Sequence, residues 1–322
     1  MLKVSTAPHM YAPTNTVTVM RDVIISLIPA GLVAIALFGL NALITIITAV
    51  AGCFVMEYVA CKYILKVKPS TRDLSAIVTG ILLAYNLPCN MPIWMILIGC
   101  FVAIVISKVA FGGIGKNLFN PALIGRVFLF ISFPIQMTTW VKPKLFDFMN
   151  IDVSTSATTL GILKHADTSI TPTIPSYMEM FLGYTGGSMG EVSAVALLIG
   201  LFYLLYRKVI SWHIPFFYVA TFLGLTSIFA YYTGDVALDP LAHLLSGGLF
   251  LGAFFMATDY TTSPMSKRGK IIFAIGCGIF TFIIRRYSVY PEGVSFAILI
   301  MNAFVPLIDK LARPRTFGTR RK

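Results

Sequence analysis

Long apolar stretches, separated by short polar segments, run along almost the whole chain. A membrane-spanning α-helix needs about 20 apolar residues, and fewer where the helix is broken or buried within protein. On this criterion we predict about ten spanning helices, at residues 23–39, 43–65, 74–87, 92–111, 119–134, 192–206, 214–232, 240–257, 270–284 and 293–311. The pattern therefore predicts an all-α polytopic membrane protein, in which residues 1–322 form a single membrane domain.

The third and eighth of these helices share a short sequence pattern. It reads Leu74-x-x-x-x-Thr79-Gly80-x-Leu82 in the third helix and Leu241-x-x-x-x-Ser246-Gly247-x-Leu249 in the eighth. The third stretch is also short and ends at Pro88, which is typical of a half-helix. Five helices in each half would make the halves a 5+5 inverted repeat, an arrangement that builds binding sites near the membrane midplane. Chance similarity between two helices rich in small residues would give the same pattern.

The basic residues predict the orientation of these helices. If the N-terminus is cytoplasmic, 19 of the 25 Lys and Arg residues fall on the inside and Arg126 falls within a span. The outside then holds only Lys142, Lys144, Lys164, Arg285 and Arg286. This bias follows the positive-inside rule, so we expect a prokaryotic cytoplasmic (inner) membrane protein with both termini in the cytoplasm.

The composition agrees with that class. Charged residues make up 12% of the chain and hydrophobic residues 57%, whereas a soluble protein is roughly 25% charged. The net charge of +12 would suggest a nucleic-acid partner in a soluble protein, but membrane topology explains it here, and we expect no nucleic acid. The five cysteines form no C-x-x-C pair, so we expect no metal or iron–sulfur site within the chain, unless a cysteine is shared across a subunit interface.

One predicted loop is much longer than the others. Residues 142–191 lie between the fifth and sixth spans, on the outer face, and are rich in Thr, Ser, Pro and Gly. A long ordered loop in a compact protein is usually functional, although a linker is the alternative. We therefore expect this extracytoplasmic loop to carry chemistry.

Within the loop lies the sequence Asp152-Val153-Ser154-Thr155-Ser156-Ala157-Thr158-Thr159-Leu160. A hydroxyl flanked by small residues gives a modifying enzyme access to the side chain, and Asp152 can position a metal-bound nucleotide during transfer. Taken alone, the segment is more typical of a Ser/Thr-rich loop without a special role.

The segment resembles the flavinylation motif of the RnfD/NqrB family, Asp-x-x-(Ser/Thr)-(Gly/Ser)-Ala-Thr. In that family the last threonine holds FMN through a phosphoester bond, which implies Thr158 as the phosphoryl threonine and covalent FMN as a cofactor. Ser156 stands where glycine is common, and Thr155 and Thr159 are competing acceptors.

The resemblance covers nearly the whole chain. It includes Ala7-Pro8-His9, Asp73–Gly80, Phe111–Ala122, Gly190–Ser193, Ala253–Asp259 with Ser263-Pro264, Tyr290–Val294 with Phe296-Ala297, Asn302, and Pro306–Asp309. The length is closer to the D subunit of Rnf complexes than to the B subunit of Nqr complexes, which has a longer N-terminus.

Asn117 and Asn120 follow the glycines Gly112, Gly113 and Gly115. No strand precedes these glycines and the G-x-G-x-x-G pattern is incomplete, which excludes a Rossmann site. The glycines instead allow a re-entrant backbone to approach a ligand. By resemblance the asparagine pair matches residues that contact non-covalent riboflavin, while helix capping is the alternative.

Charged residues near or within the spans are the remaining candidates. Arg126 needs a partner inside the protein: it would stabilise a reduced, anionic flavin, or pair with Glu191 as a structural ion pair. Asp259 closes the eighth span and would bind an ion or relay a proton, or cap a helix. Arg285 and Arg286 break the positive-inside trend and are candidates for meeting the FMN phosphate or an acidic partner.

The resemblance implies a function as a subunit of an oxidoreductase complex. The complex would pass electrons from ferredoxin to NAD⁺, move Na⁺ or H⁺ outward, and include the covalent-FMN G subunit and the membrane A and E subunits as partners. This chain would relay electrons through its flavins and contribute no catalytic side chain. The alternatives are an NqrB-like subunit of a quinone reductase and a urea-channel-like permease without flavin.

Overall fold

A computed structural model describes residues 15–66, 70–145, 157–164, 175–191, 193–234, 238–288, 290 and 292–313. Throughout these ranges the regular structure is helical, with no β-strand. This confirms the all-α prediction for the described part of the chain.

The first helix, α1, spans Thr16–Ala60 and ends in a π-helical turn, Cys61–Leu65. Its backbone leaves the helical conformation at Gly39, where φ is 65° and ψ is −147°. A positive φ is readily adopted only by glycine, so Gly39 can interrupt the helix where the sequence predicts the first span to end. Two of the predicted spans therefore correspond to the two limbs of α1.

The remaining helices follow in short succession. Their bounds are Ser75–Tyr85 (α2), Ile93–Phe101 (α3), Pro121–Ser132 (α4), Pro134–Met137 (α5), Thr159–Lys164 (α6), Tyr177–Leu182 (α7), Ala194–Tyr206 (α8), His213–Thr233 (α9), Pro240–Leu245 (α10), Leu249–Leu251 (α11), Lys267–Tyr287 (α12) and Val294–Leu311 (α13). A 3₁₀ turn, Ser70–Asp73, precedes α2, and π-helical segments Val102–Val109 and Gly252–Met256 extend α3 and α11. Each of the ten predicted stretches overlaps at least one helix.

The third and eighth predicted spans differ in local structure. The third is α2, an uninterrupted 11-residue helix that contains Thr79 and Gly80. The eighth is broken, because Ser246 and Gly248 are non-helical and Gly247 has a φ of 68°. The shared sequence pattern thus lies in a continuous helix in one half and at a helix break in the other, and the inverted repeat stays a prediction.

Glycines bring the helices close together around α1. A Cβ on Gly80 of α2 would lie 2.7 Å from the Cα of Val50, and one on Gly200 of α8 would collide with the carbonyl oxygen of Ser26. Small residues allow this close packing, which stabilises helix association in membranes through van der Waals contact. α1 therefore packs directly against α2 and α8, while α12 packs against both α9 and α13 in the second half.

Large apolar side chains also cover much of the surface. Leu32, Ile47, Ile131 and Phe202 are each more than half exposed, which is typical of a surface that contacts lipid or partner subunits. By length and composition, three described helical stretches can cross a membrane: Thr16–Leu65, His213–Thr233 and Val294–Leu311. Together with shorter apolar helices such as Ala194–Tyr206, they indicate a multi-pass membrane protein, and the count of ten spans stays a prediction.

Candidate functional site

Thr158 lies at the N-terminus of α6, in the predicted outer loop. Its Oγ1 accepts a hydrogen bond from the amide of Gly161 at 3.1 Å, and its carbonyl oxygen accepts one from the amide of Ile162 at 2.9 Å. Thr158 thus caps the helix, as Thr often does. Asp152, Thr155 and Ser156 of the same motif lie outside the described residues.

The two described threonines of the motif differ in exposure. Thr159 is buried, with 4% of its surface exposed, whereas Thr158 is only half-buried. A modifying enzyme needs to reach the hydroxyl oxygen, so the structure favours Thr158 over Thr159 as an acceptor.

Thr158 borders a narrow cleft of about 20 Å³. Its walls include Ser246 and Gly247 from the break between α10 and α11, and the carboxylates of Glu191 and Glu292. The fold thus brings the motif threonine, the broken eighth span and two acidic residues together at one place.

Both carboxylates of this cleft bind Arg126 of α4. Arg126 is 5% exposed, and its Nη1 lies 3.0 Å from Glu191 Oε1 while its Nη2 contacts Glu292 Oε2. Nη1 also donates to Asn86 Oδ1 at 2.6 Å and to Ser295 Oγ at 2.9 Å. We call these five residues the Arg126 cluster. The predicted pairing of Arg126 with Glu191 is confirmed, and a flavin contact for Arg126 stays a prediction.

The cluster joins four separate parts of the chain: the end of α2, α4, the segment before α8 and the start of α13. Burial raises the pKa of the Glu191 carboxyl, with Glu292 acting in the same direction and Arg126 in the opposite one. The Ser188 hydroxyl also donates to Glu191 Oε2. Buried charges with this many partners hold their surroundings in one arrangement, because removing one partner leaves the others uncompensated.

Asn117 and Asn120 border a second cavity, together with Lys108, Asp259 and Thr261, among others. We call this the asparagine cavity; its volume is about 80 Å³. Asn117 Nδ2 donates to Thr261 Oγ1 at 3.0 Å, and Asn120 Nδ2 donates to the Met256 carbonyl at 3.2 Å. Both asparagines therefore lie at one site, as the sequence suggests.

Asn120 also caps a helix. Its Oδ1 accepts a hydrogen bond from the Ala122 amide at 3.1 Å at the start of α4. This confirms the capping alternative for Asn120, whereas Asn117 lies before the start of α4. The glycines before them, Gly112, Gly113 and Gly115, all have positive φ, which explains the residue type at those positions.

Lys108 forms a buried ion pair that the positive-inside pattern does not reveal. Its Nζ lies 2.7 Å from Glu57 Oε2 and 2.7 Å from Ser75 Oγ, and both charged side chains are at most 4% exposed. From the positive-inside pattern, Lys108 is expected only to be one of the basic residues at the cytoplasmic ends of the helices. The signal for the pair was Glu57, an acidic residue in the middle of a predicted span, which requires a partner inside the protein.

Asp259 follows the π-helical segment Gly252–Met256 and faces the same cavity. Burial raises the pKa of its carboxyl, and hydrogen bonds from the hydroxyls of Thr261 at 2.9 Å and Thr262 at 3.3 Å oppose that shift. Asp259 caps no described helix, so the capping alternative fails for this residue.

Comparison with known proteins adds to this geometry. Residues 3–318 match the model of the family described as NQR2, RnfD, RnfE. The D subunit of the Na⁺-translocating ferredoxin:NAD⁺ oxidoreductase complex of Acetobacterium woodii is 46% identical over 98% of this chain and 95% of its own length. The D subunit of the proton-translocating ferredoxin:NAD⁺ oxidoreductase complex of Clostridium ljungdahlii is 44% identical over 99% and 96%. The D subunit of the ion-translocating oxidoreductase complex of Halorhodospira halophila is 38% identical over 100% and 97%.

Proposed function

The chain belongs to the NQR2, RnfD, RnfE family, and on that premise we propose that it is the flavin-bearing membrane D subunit of an ion-translocating ferredoxin:NAD⁺ oxidoreductase complex. In this role the chain relays electrons through FMN esterified to Thr158. The electron transfer is coupled to the movement of Na⁺ or H⁺ across the membrane. Its partners are the other subunits of the complex, above all the FMN-bearing G subunit and the membrane A and E subunits.

The position of Thr158 supports the flavin part of this proposal. Its side chain is half-buried, and its hydroxyl oxygen acts as a hydrogen-bond acceptor toward Gly161. A phosphoester would remove the hydroxyl proton but retain the oxygen that caps α6. Bound FMN supplies reversible electron transfer, and the protein's task is to fix the position and the electrostatic surroundings of the ring.

Riboflavin is proposed as a second, non-covalent cofactor at the asparagine cavity. The amides of Asn117 and Asn120 and the ammonium of Lys108 line this cavity, and each donates to a protein partner. The volume of about 80 Å³ is well below the roughly 300 Å³ at the lower end for ligand pockets. A flavin therefore does not fit in this conformation, and we assign no electron-transfer step to it.

The transported ion is proposed as either Na⁺ or H⁺. The relatives from A. woodii and C. ljungdahlii are named for different ions, although their identities to this chain, 46% and 44%, are nearly the same. Overall similarity therefore does not separate the two ions.

The names of these relatives favour ferredoxin and NAD⁺ over a quinone-reducing, NqrB-like role. A urea-channel-like permease without flavin is the alternative from another class. Both alternatives make distinct predictions: purified complex would reduce quinone in the first case, and the subunit would carry no flavin in the second.

The test uses the complex purified from cells that flavinylate their proteins. Separated on a denaturing gel under ultraviolet light, the D subunit should fluoresce, and its intact mass should exceed that of the bare polypeptide by one esterified FMN. Thr158→Asn should abolish both signals. Because Asn is a good N-cap residue, this variant removes the ester while retaining a cap for α6.

Thr155→Ala and Thr159→Ala are the matched controls, and both should retain the fluorescent band. A subunit of bare polypeptide mass in the parent complex would contradict the proposal. Fluorescence that persists in Thr158→Asn and disappears in Thr155→Ala or Thr159→Ala would move the ester to that threonine.

A further inference from the structure

A cavity of about 250 Å³ lies beside α6. We call it the α6 cavity. Its walls are apolar on several sides and carry basic side chains on others: Leu160, Leu163, Phe222, Phe282, Lys164 and Arg285. Leu160 also borders the cleft at Thr158, so the two spaces are neighbours.

Arg285 of α12 is the unusual group in this cavity. It is 6% exposed, and its Nη1 and Nη2 donate to the carbonyl oxygens of His243 at 2.6 Å and Ser246 at 3.2 Å. The guanidinium also lies 5.0 Å from the ring centroid of Phe222. Its Nε is buried with no hydrogen-bond partner, and no described carboxylate forms an ion pair with it. Glu191 and Glu292 act on the guanidinium charge only from beyond ion-pair distance. Its direct contacts are carbonyl dipoles and an aromatic ring, which leaves room for an anion as a direct partner.

Thr158 borders the cleft, Leu160 borders both the cleft and the α6 cavity, and the two spaces differ in size and charge. The cleft at Thr158 measures about 20 Å³ and is bordered by Glu191 and Glu292, so it is too small for a flavin ring and carries the wrong charge for an anion. The α6 cavity measures about 250 Å³, which approaches the roughly 300 Å³ at the lower end for ligand pockets. Its apolar walls suit an aromatic ring, and its basic residues suit negative charge.

Gly247 allows Leu160 of α6 and the Arg285 guanidinium of α12 to approach the break between α10 and α11. A Cβ at this position would lie 2.5 Å from Leu160 Cδ1 and 3.1 Å from Arg285 Nη2. The break between α10 and α11 thus lets the guanidinium approach α6, and it exposes the Ser246 carbonyl that orients the guanidinium.

We propose that the ring of the flavin attached to Thr158 occupies the α6 cavity, with the Arg285 guanidinium against the edge that carries negative charge when the ring is reduced. This inference rests on the proposed function. Arg285 then stabilises the reduced, anionic ring relative to the neutral oxidised one, and so raises the midpoint potential of this flavin.

The first test measures that potential in the purified complex. The flavin at Thr158 is isolated as the difference between redox titrations of the parent and of Thr158→Asn. Arg285→Gln should lower its midpoint potential, and Arg285→Lys, which retains a positive charge, should restore most of the shift. Arg268→Gln is the matched control, because Arg268 is exposed at the other end of α12, and it should leave the potential unchanged.

The second test locates the ring without relying on Arg285. Lys164→Cys places a thiol at the cavity wall, and its rate of labelling by a small thiosulfonate reagent is measured with and without the Thr158→Asn change. The flavin should protect this thiol several-fold. Tyr177→Cys, at an exposed position on α7, should label at the same rate in both backgrounds.

The outcomes separate the two proposals. If the parent subunit has no covalent flavin, the proposed function fails. If the flavin is present but the thiol of Lys164→Cys labels equally in both backgrounds, the ring lies elsewhere and the inference is overturned. If that thiol is protected but the potential of Arg285→Gln equals that of the parent, the assigned role of Arg285 is overturned.

Discussion

Arg126 and Arg285 are both buried arginines close to Thr158, yet their surroundings differ. Arg126 contacts two carboxylates, Glu191 and Glu292, whereas the described partners of Arg285 are backbone carbonyls and the ring of Phe222. A buried arginine that forms ion pairs with carboxylates of the same chain, as Arg126 does, has a structural role. Arg285 has no carboxylate at ion-pair distance among the described residues, although Glu191 and Glu292 act on its charge from farther away, so a bound anion would be its first direct charged partner.

Removing Arg126 should have the largest effect. Arg126→Met leaves two buried carboxylates without their counter-charge, so we expect a loss of about 3–5 kcal/mol in stability. Thermal melting of the purified complex would measure this loss. Arg268→Met is the control: Arg268 is exposed at the start of α12, so we expect less than about 1 kcal/mol. Equal losses in the two variants would contradict a structural role for the Arg126 cluster.

Removing one partner of the Lys108–Glu57 pair should destabilise the subunit, as removing Arg126 should and removing Arg285 should not. We expect Lys108→Met alone, or Glu57→Gln alone, to destabilise the subunit by about 3 kcal/mol or more, because each leaves one buried partner uncompensated. The double variant should lose less than the sum of the two single changes. Additive losses in a double-mutant cycle would show that the two side chains do not depend on each other.

Replacing Arg285 should affect the melting temperature differently from replacing Arg126, and the effect should depend on whether the flavin is present. In the flavin-free Thr158→Asn background, Arg285→Met should leave the melting temperature unchanged or raise it. The reason is that the hydrogen bonds it loses, about 1.5–3 kcal/mol each, are offset by removal of a buried charge that has no carboxylate at ion-pair distance among the described residues. In the flavin-loaded complex the same change should lower the melting temperature. A loss as large as that of Arg126→Met in both backgrounds would place Arg285 in the scaffold.

The smallest expected effect is local to α6. Thr158→Ala removes the N-cap and should weaken this helix by about 1 kcal/mol, while Thr158→Asn should retain most of its stability. Hydrogen exchange at the Gly161 amide reports this directly, with exchange about fivefold faster in the alanine variant. Both variants lack the ester, so any difference between them measures the cap alone.

The sequence predicts the helical architecture well, because apolar stretches and glycines specify it locally. The break at Gly39, the short α2 and the pairing of Arg126 with Glu191 could all be anticipated from residue type and position. Glu292 and Asn86 could not, because they reach Arg126 only through the packing of α13 and α2 against α4. The contact of Arg285 with two backbone carbonyls likewise depends on how α10 ends, which no periodicity in the sequence indicates.

The α6 cavity illustrates the same limit. Leu160 and Leu163 come from the outer loop, while Phe222 and Phe282 come from α9 and α12. Sequence resemblance indicates which threonine would carry the proposed flavin, but the space that would receive its ring exists only once these distant segments have packed. The flavin itself remains a proposal, supported by the motif and by the geometry of Thr158.

The π-helical segments Val102–Val109 and Gly252–Met256 carry a further consequence. Hydrogen bonds from the amide of Ala110 to the carbonyl of Val105, and from Ala257 to Gly252, each span five residues rather than four. Lys108 lies in the first segment and the Met256 carbonyl, which accepts from Asn120, lies in the second. Deleting one residue from either segment would restore α-helical winding and rotate the preceding part of the helix by roughly 100° relative to the part after the deletion. Homologues or designed variants that are one residue shorter in either segment would therefore line the asparagine cavity with different side chains and carbonyls, even with all other residues identical.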